Sequence, residues 1–400
     1  MDRSKTANPI KGLFNALFIL CVFAFLLYGA YSALFRPTEV NDYENRTANQ
    51  FPAVTLSGFR DGSVQDAVEN ALRDQVHLAQ DMEEDYFYCD TSFQMKLIQP
   101  FLAAHPDRYI GVLGQYTFGG THLVYATRPL EGERENLDAR IENINAAVAA
   151  HPELHFYAYY IEKDTDLDLF TGKKAGISEY ILDNLSLPRE NMGVFTVDSF
   201  AELDEKFFRT DHHWNNRGSY EGYCDVLALL KPDARPLVPL EEITLRSNNY
   251  SGSKANTIGA KGVFTESFPV YVFDYPPMEI IAEGQSVEHY GNQDAWIEGK
   301  IWSYLSYSTF YGGDLAEVIF DTHKPEEGKL LVLGESYDNA ILQLLASHFG
   351  QLYSVDLRNY ERVMGKPFDL GAYTRENGIT QVLLLGNLDY FVAPDFDLEG

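Results

Sequence analysis

Cysteine is scarce. The chain has three in 400 residues, and Cys21 falls in an apolar run, which leaves Cys89 and Cys224. Two thiols cannot build a cysteine metal site, and in an exported chain they could form one disulfide at most. Positive charge is also short: 31 Lys and Arg stand against 59 Asp and Glu, a formal net charge of -28. Such a surface repels nucleic-acid phosphates and gains nothing from anionic lipid. Internal repeats and low-complexity tracts are absent. The glycine-rich stretch 111–120 fits neither a dinucleotide fingerprint nor a P-loop. Asp164-Thr165-Asp166-Leu167-Asp168 begins like a calcium loop, but Leu169 and Ala175 stand where glycine and the closing glutamate are needed. An EF-hand is excluded.

Long apolar runs are confined to one place. Leu13 to Phe35 is apolar or small almost throughout, with Asn15 and Ser32 as the polar interruptions. At about 1.5 Å per residue such a helix covers roughly 35 Å, enough for a hydrocarbon core of about 30 Å. Arg3, Lys5 and Lys11 precede it; Arg36 follows, and then come Glu39, Asp42 and Glu44. The positive-inside bias places 1–12 in the cytoplasm, 13–35 in the membrane as a single-pass signal anchor, and the remainder outside the cell. A juxtamembrane linker is expected over 36–60 and one folded domain over 61–400. A cleaved signal peptide is the rival reading, since Gly29-Ala30-Tyr31-Ser32-Ala33 offers small residues.

Beyond the linker, Val64, Val68, Ala71, Leu72 and Val76 recur at helical spacing. Strands are expected at 109–113 and 122–125, as a hairpin across Gly119-Gly120. A helix is expected over 133–150, with Gly132 marking its start. Further strands are read at 154–161, 193–197, 270–273, 329–333, 352–355 and 381–385. Helices are read at 177–185, 218–230 and from about 336 through His348. From Pro232 to about Gly313 the chain reads as loop-rich and aromatic. Strands alternating with helices imply an α/β fold with a mainly parallel sheet covered on both faces.

Two segments carry chemistry. Lys329-Leu330-Leu331-Val332-Leu333 is a short apolar run, as in a strand buried on both faces, and Gly334 breaks it. Ser336 is then expected at the carboxyl end of a parallel strand and the amino end of a helix, where open α/β sheets bind ligands and where free N–H groups can hold an oxyanion. The plainer role for such a serine is a helix cap. The second segment is Thr210-Asp211-His212-His213-Trp214. In an extended backbone alternate side chains share a face, so Asp211 and His213 point together and His212 points away. Asp211 could then fix the tautomer of His213, leaving its other nitrogen to accept a serine proton. Trp214 is expected to pack beneath the pair. A metal site would need a third ligand, and no nearby spacing supplies one.

With these residues in view the chain resembles the bacterial DHHW family, relatives of the alginate O-acetyltransferases within the SGNH (GDSL-like) hydrolase superfamily. The resemblance is carried by Glu44-Asn45-Arg46 with Phe51-Pro52, by Arg209 to Asn215, by Tyr250-Ser251-Gly252-Ser253, by Phe310-Tyr311-Gly312-Gly313, by Lys329 to Ser336, and by Val355-Asp356-Leu357-Arg358. It implies a three-layer SGNH-like fold in circularly permuted order, because here the aspartate and histidine precede the serine. It also implies a Ser-His-Asp triad on Ser336, His213 and Asp211. Glu335 replaces the aspartate of the usual Gly-Asp-Ser. Tyr337 N–H is expected as an oxyanion donor, Gly313, Gly312 and Asn387 are further candidates, and Arg358 is a candidate for an anionic sugar or phosphate. The expected activity is acetyl transfer to, or removal from, a cell-surface polysaccharide, with no cofactor and no metal. A multi-pass membrane O-acyltransferase is implied as the acetyl donor. The alternative is a glycan-binding or assembly protein that kept the fold and lost the chemistry.

Overall fold

A computed structural model of the chain describes residues 9–37, 40–41, 46–300, 305–393 and 398. The flanking charges Arg3, Lys5, Glu39, Asp42 and Glu44, and the Glu44-Asn45 part of the first family marker, lie outside the described residues. The chain divides into two compact units, Met1–Gln94 and Met95–Gly400.

In the first unit the apolar run forms the helix Pro9–Phe35. Its segment Gly12–Phe35, 24 residues with a mean hydropathy of 2.3, is long and apolar enough to cross a membrane. The periodic stretch beyond it forms the helix Ser63–Gln75. Ser32 Oγ donates to the carbonyls of Gly29 and Gln75 at 2.9 and 3.3 Å, so this polar interruption of the run is satisfied. A long helix, His77–Ala104, then begins, an element that the reading of the sequence does not include.

The second unit is built on an eight-stranded sheet. In spatial order its strands are Gln285–Val287, Glu279–Ala282, Glu317–Asp321, Gln351–Val355, Lys329–Leu333, Gln381–Gly386, His155–Ile161 and Met192–Phe195. The last five run parallel, and the first three are antiparallel to their neighbours. Lys329–Leu333 is central, and its side chains alternate between two cores. Leu330 and Val332 enter the one shared with the helix Asn216–Leu230; Leu331 and Leu333 enter the one shared with the helices Leu130–Ala150 and Ile177–Asn184. Helices on both faces make this the three-layer α/β arrangement expected.

Several expectations need correction. Gly132 lies inside the helix Leu130–Ala150, whose start is the cap Pro129. The hairpin across Gly119-Gly120 joins Gln115–Phe118 to His122–Tyr125, and Gly111–Val112 adds a third strand. The stretch read as loop-rich contains the strand Glu241–Tyr250, paired with Glu266–Val272. After Ser336 no long helix starts: a 3-10 turn at Asp338–Ala340 precedes a five-residue helix, Leu342–Ala346. The three cysteines are free thiols, so Cys89 and Cys224 are not paired.

Candidate active site

The Asp-His segment is a bend held at both ends. Phe207 and Trp214 form an antiparallel bridge, and Phe208 N donates to His213 O at 3.1 Å. Asn215 caps the helix Asn216–Leu230, its Oδ1 accepting from Arg217 N and Gly218 N. Between these anchors residues 209–213 are bends, not strand. The Asp211–His213 pairing expected from strand alternation therefore exists for a different reason. Asp211 Oδ1 accepts both the backbone N–H of His213 at 3.1 Å and its ring Nδ1–H at 2.7 Å.

That bend also corrects the place of His212. Its ring does not point away but lies 3.8 Å from that of His213, inclined 36°, and its Nδ1 meets Ser253 Oγ at 2.6 Å. Burial, and next the neighbouring His213, hold its pKa well below the usual imidazole value, so the ring is neutral. Asp211, His212 and His213 each offer a donor atom within 4.8 Å of the others, a spacing that could hold a metal ion. The sequence argument had found no third ligand. Those donors are already engaged with Ser253, Ser336 and one another, so an ion would have to break the bonds that order the segment.

Asp211 is the most heavily bonded group. Its second oxygen accepts from Tyr250 Oη–H at 2.8 Å and Ser253 N–H at 2.9 Å. Burial works against the charge of this carboxylate; the bond and charge of His213 outweigh it, and the pKa stays well below the ordinary value. Gly252 is required here, since a Cβ on it would lie 2.4 Å from Asp211 Cβ. The marker Tyr250-Ser251-Gly252-Ser253 is thus the wall that holds the aspartate, a role its sequence does not announce. Lys254 follows, buried, and pairs with the buried Asp164 at 2.6 Å.

Ser336 arrives on the central strand. It caps no helix. With Nδ1–H of His213 given to Asp211, Nε2 is the acceptor, and Ser336 Oγ–H donates to it at 2.8 Å. The serine is partly exposed, while His213 and Asp211 are buried. Among the described residues neither Ser336 N–H nor Tyr337 N–H is taken up by a hydrogen bond. Tyr337 Oη–H donates to the carbonyl of His212, tying the serine turn to the histidine bend. Glu335, the departure from Gly-Asp-Ser, accepts Asn387 N–H at 3.2 Å and so braces the serine turn against the adjoining strand end.

Other candidates fall elsewhere. Gly313 sits in a left-handed turn with φ 74° and hydrogen-bonds to none of the three residues. Arg358 is spent on Asp356, at 2.7 to 3.1 Å, and on Asp314 at 3.2 Å. The ring lying flat on His213 belongs to Tyr307, not Trp214: the planes are 2° apart with centroids at 3.7 Å. Nothing in the sequence marked Tyr307, which comes from a separate turn of chain.

A buried carboxylate, an imidazole and a partly exposed hydroxyl stand in series at the carboxyl end of a parallel strand in a three-layer α/β domain. The model of the DHHW protein family matches residues 194–355, a stretch that contains all three groups. Among solved structures it is similar to Bacillus cereus PatB1 with a sulfonyl adduct, at 18% identity over 70% of this chain and 96% of that one, with a TM-score of 0.51. A DHHW family protein of Eubacterium siraeum matches at 18% identity over 71% and 94% of the two chains, TM-score 0.51. The O-acetyltransferase domain of Pseudomonas putida AlgJ matches at 12% identity over 72% and 94%, TM-score 0.39. No curated protein matches by sequence.

Proposed function

We propose that this protein moves acetyl groups onto or off a cell-surface glycan, on the outer side of the membrane to which its N-terminal helix anchors it. The observation that carries this reading is the unbroken series from Asp211 through His213 to Ser336, at 2.7 and 2.8 Å. His213 Nε2 takes the proton of Ser336 Oγ as the oxygen attacks an acetyl carbonyl. The N–H groups of Ser336 and Tyr337, which no hydrogen bond among the described residues uses, would donate to the oxyanion. His213 then returns the proton to the leaving group, and an acetyl-serine remains. A sugar hydroxyl reaching that ester completes a transfer; water completes a hydrolysis. A multi-pass membrane O-acyltransferase is the partner the family resemblance suggests as acetyl donor.

PatB1, similar in fold, is known with a sulfonyl adduct. Sulfonyl fluorides esterify activated hydroxyls, which makes one a probe of Ser336 independent of the glycan. The deciding experiment is hydrolysis of a chromogenic acetyl ester, with sulfonylation followed by mass, on the full chain in detergent beside Ser336→Ala. Turnover and labelling that both vanish in the variant are expected. Equal rates in both, or neither reaction in either, would point to the glycan-binding alternative.

A further inference from the structure

The edge of the His213 ring is fully used, one nitrogen by Asp211 and the other by Ser336. What remains is its faces, and Tyr307 lies flat on one of them. Its ring is 2% exposed, 3.7 Å from His213 and parallel to it within 2°. It is not there by default. Tyr307 opens the helix Tyr307–Tyr311, whose first turn is fixed by Ser306 and Thr309 through bonds in both directions, at 2.8 and 3.1 Å. Its hydroxyl accepts the indole N–H of Trp214 at 3.3 Å. Trp214 is in turn fully buried, packed where Gly222 leaves room: a Cβ there would come within 2.5 Å of the indole.

We propose that Tyr307 is a positioning residue of the reaction, its ring face holding His213 in line with Ser336 and stabilising the imidazolium, and that Trp214 acts on the base through Tyr307. This rests on the serine chemistry proposed above. In that step the proton leaves Ser336 Oγ for His213 Nε2 while the oxygen's electron pair forms the bond to the carbonyl carbon. The ring thereby gains one positive charge. Asp211 meets that charge at the ring edge, and the negative face of an aromatic ring meets it from above. The other groups facing the imidazole are Ser336, the neutral His212 at 3.8 Å and the Tyr337 ring at 5.1 Å. None of them supplies a second negative charge. The tryptophan of the motif thus gains a chemical reason: its N–H fixes the hydroxyl end of the tyrosine that covers the base.

The test compares wild type, Tyr307→Phe, Tyr307→Leu, Trp214→Phe and the Trp214→Phe/Tyr307→Phe double variant as full chains in detergent. The rate of Ser336 sulfonylation by phenylmethanesulfonyl fluoride is followed against pH. Tyr307→Leu should react about tenfold more slowly, the scale of a lost cation–π contact, and its acid-side half-point should move to lower pH because the charged ring is less favoured. Tyr307→Phe, which keeps the face, should stay within about threefold of wild type. The double variant should be no worse than its worse parent, since both changes remove one hydrogen bond. A Tyr307→Leu chain with wild-type rate and pH profile overturns the proposal. Proton spectra of histidine-labelled chains separate it from the serine reading. An upfield ring-current displacement of the His213 Cε1–H that disappears in Tyr307→Leu supports the stack even if the wild type resists the reagent. A displacement unchanged in that variant overturns it.

Discussion

Asp211 and Ser336 serve the same imidazole from two different kinds of support. The aspartate is held on every side: it accepts four hydrogen bonds, from His213 N and Nδ1, Tyr250 Oη and Ser253 N, and Gly252 presses against its Cβ. The serine has one hydrogen bond, stands partly open, and owes its place to the strand beneath it. On the serine chemistry proposed above, the contrast follows from what each would do. A group that orients a base works by staying still, and burial with many donors keeps it still and charged. A group that attacks must be reached, so its precision has to come from the rigid sheet rather than from contacts round the atom.

If that division is right, substitutions should differ in size according to which support they touch. His213→Ala, which removes the group both supports serve, should lower ester turnover by about three orders of magnitude or more, and Asp211→Asn by somewhat less. Equal, small losses in both would break the comparison. Gly252→Ala should come next. It leaves every reacting atom in place yet forces Asp211 to shift, and a displacement of about an ångström can cost on the order of a hundredfold. The clash reaches the backbone Cα of Asp211 at 2.8 Å, so a lowered unfolding midpoint is expected alongside the lost turnover.

The smallest effect sharpens the picture one layer behind the aspartate. Glu266 accepts Arg209 N–H, Thr210 N–H and Thr210 Oγ1–H at 2.8, 2.7 and 2.6 Å. Burial pushes its pKa from 4.5 up to about 7, overriding those bonds, and the charge of Asp211 adds to the rise. A carboxyl whose pKa is raised by folding binds its proton more tightly in the folded chain. Its contribution to stability is therefore complete below about 4.5 and is lost as pH rises through about 7. The urea midpoint should fall as pH is raised across that window, and Glu266→Gln should flatten the dependence.

The parallel strands were legible because burial on both faces writes itself as short apolar runs, as at Leu330 to Leu333 and Val382 to Leu385. The antiparallel edge was not. Glu317–Asp321 begins and ends with acids, and Glu241–Tyr250 is polar on both sides because much of it meets solvent. In the site, the aspartate and one histidine could be paired from the residues themselves, and the serine was joined to them as a triad by the family resemblance. The bend that joins the first two could not be read, since alternation assumes a strand. Tyr250 and Ser253 stood out only as part of a family marker and Tyr307 not at all; the parts they play escaped for a different reason. They reach the site across the fold, from 39 to 94 residues beyond the residues they touch, and nothing local distinguishes them from core aromatics or turn serines.

The pairing of the central strand sets a timetable. Lys329–Leu333 lies between Gln351–Val355 and Gln381–Gly386, and only the latter links it to His155–Ile161 on the other side of the sheet. Ribosomal synthesis delivers the histidine first, the serine 123 residues later, and the joining strand last. Between Ser336 and Gly386 the growing chain carries the aspartate, the histidine and the serine without the whole of the strand that joins the two sides of the sheet.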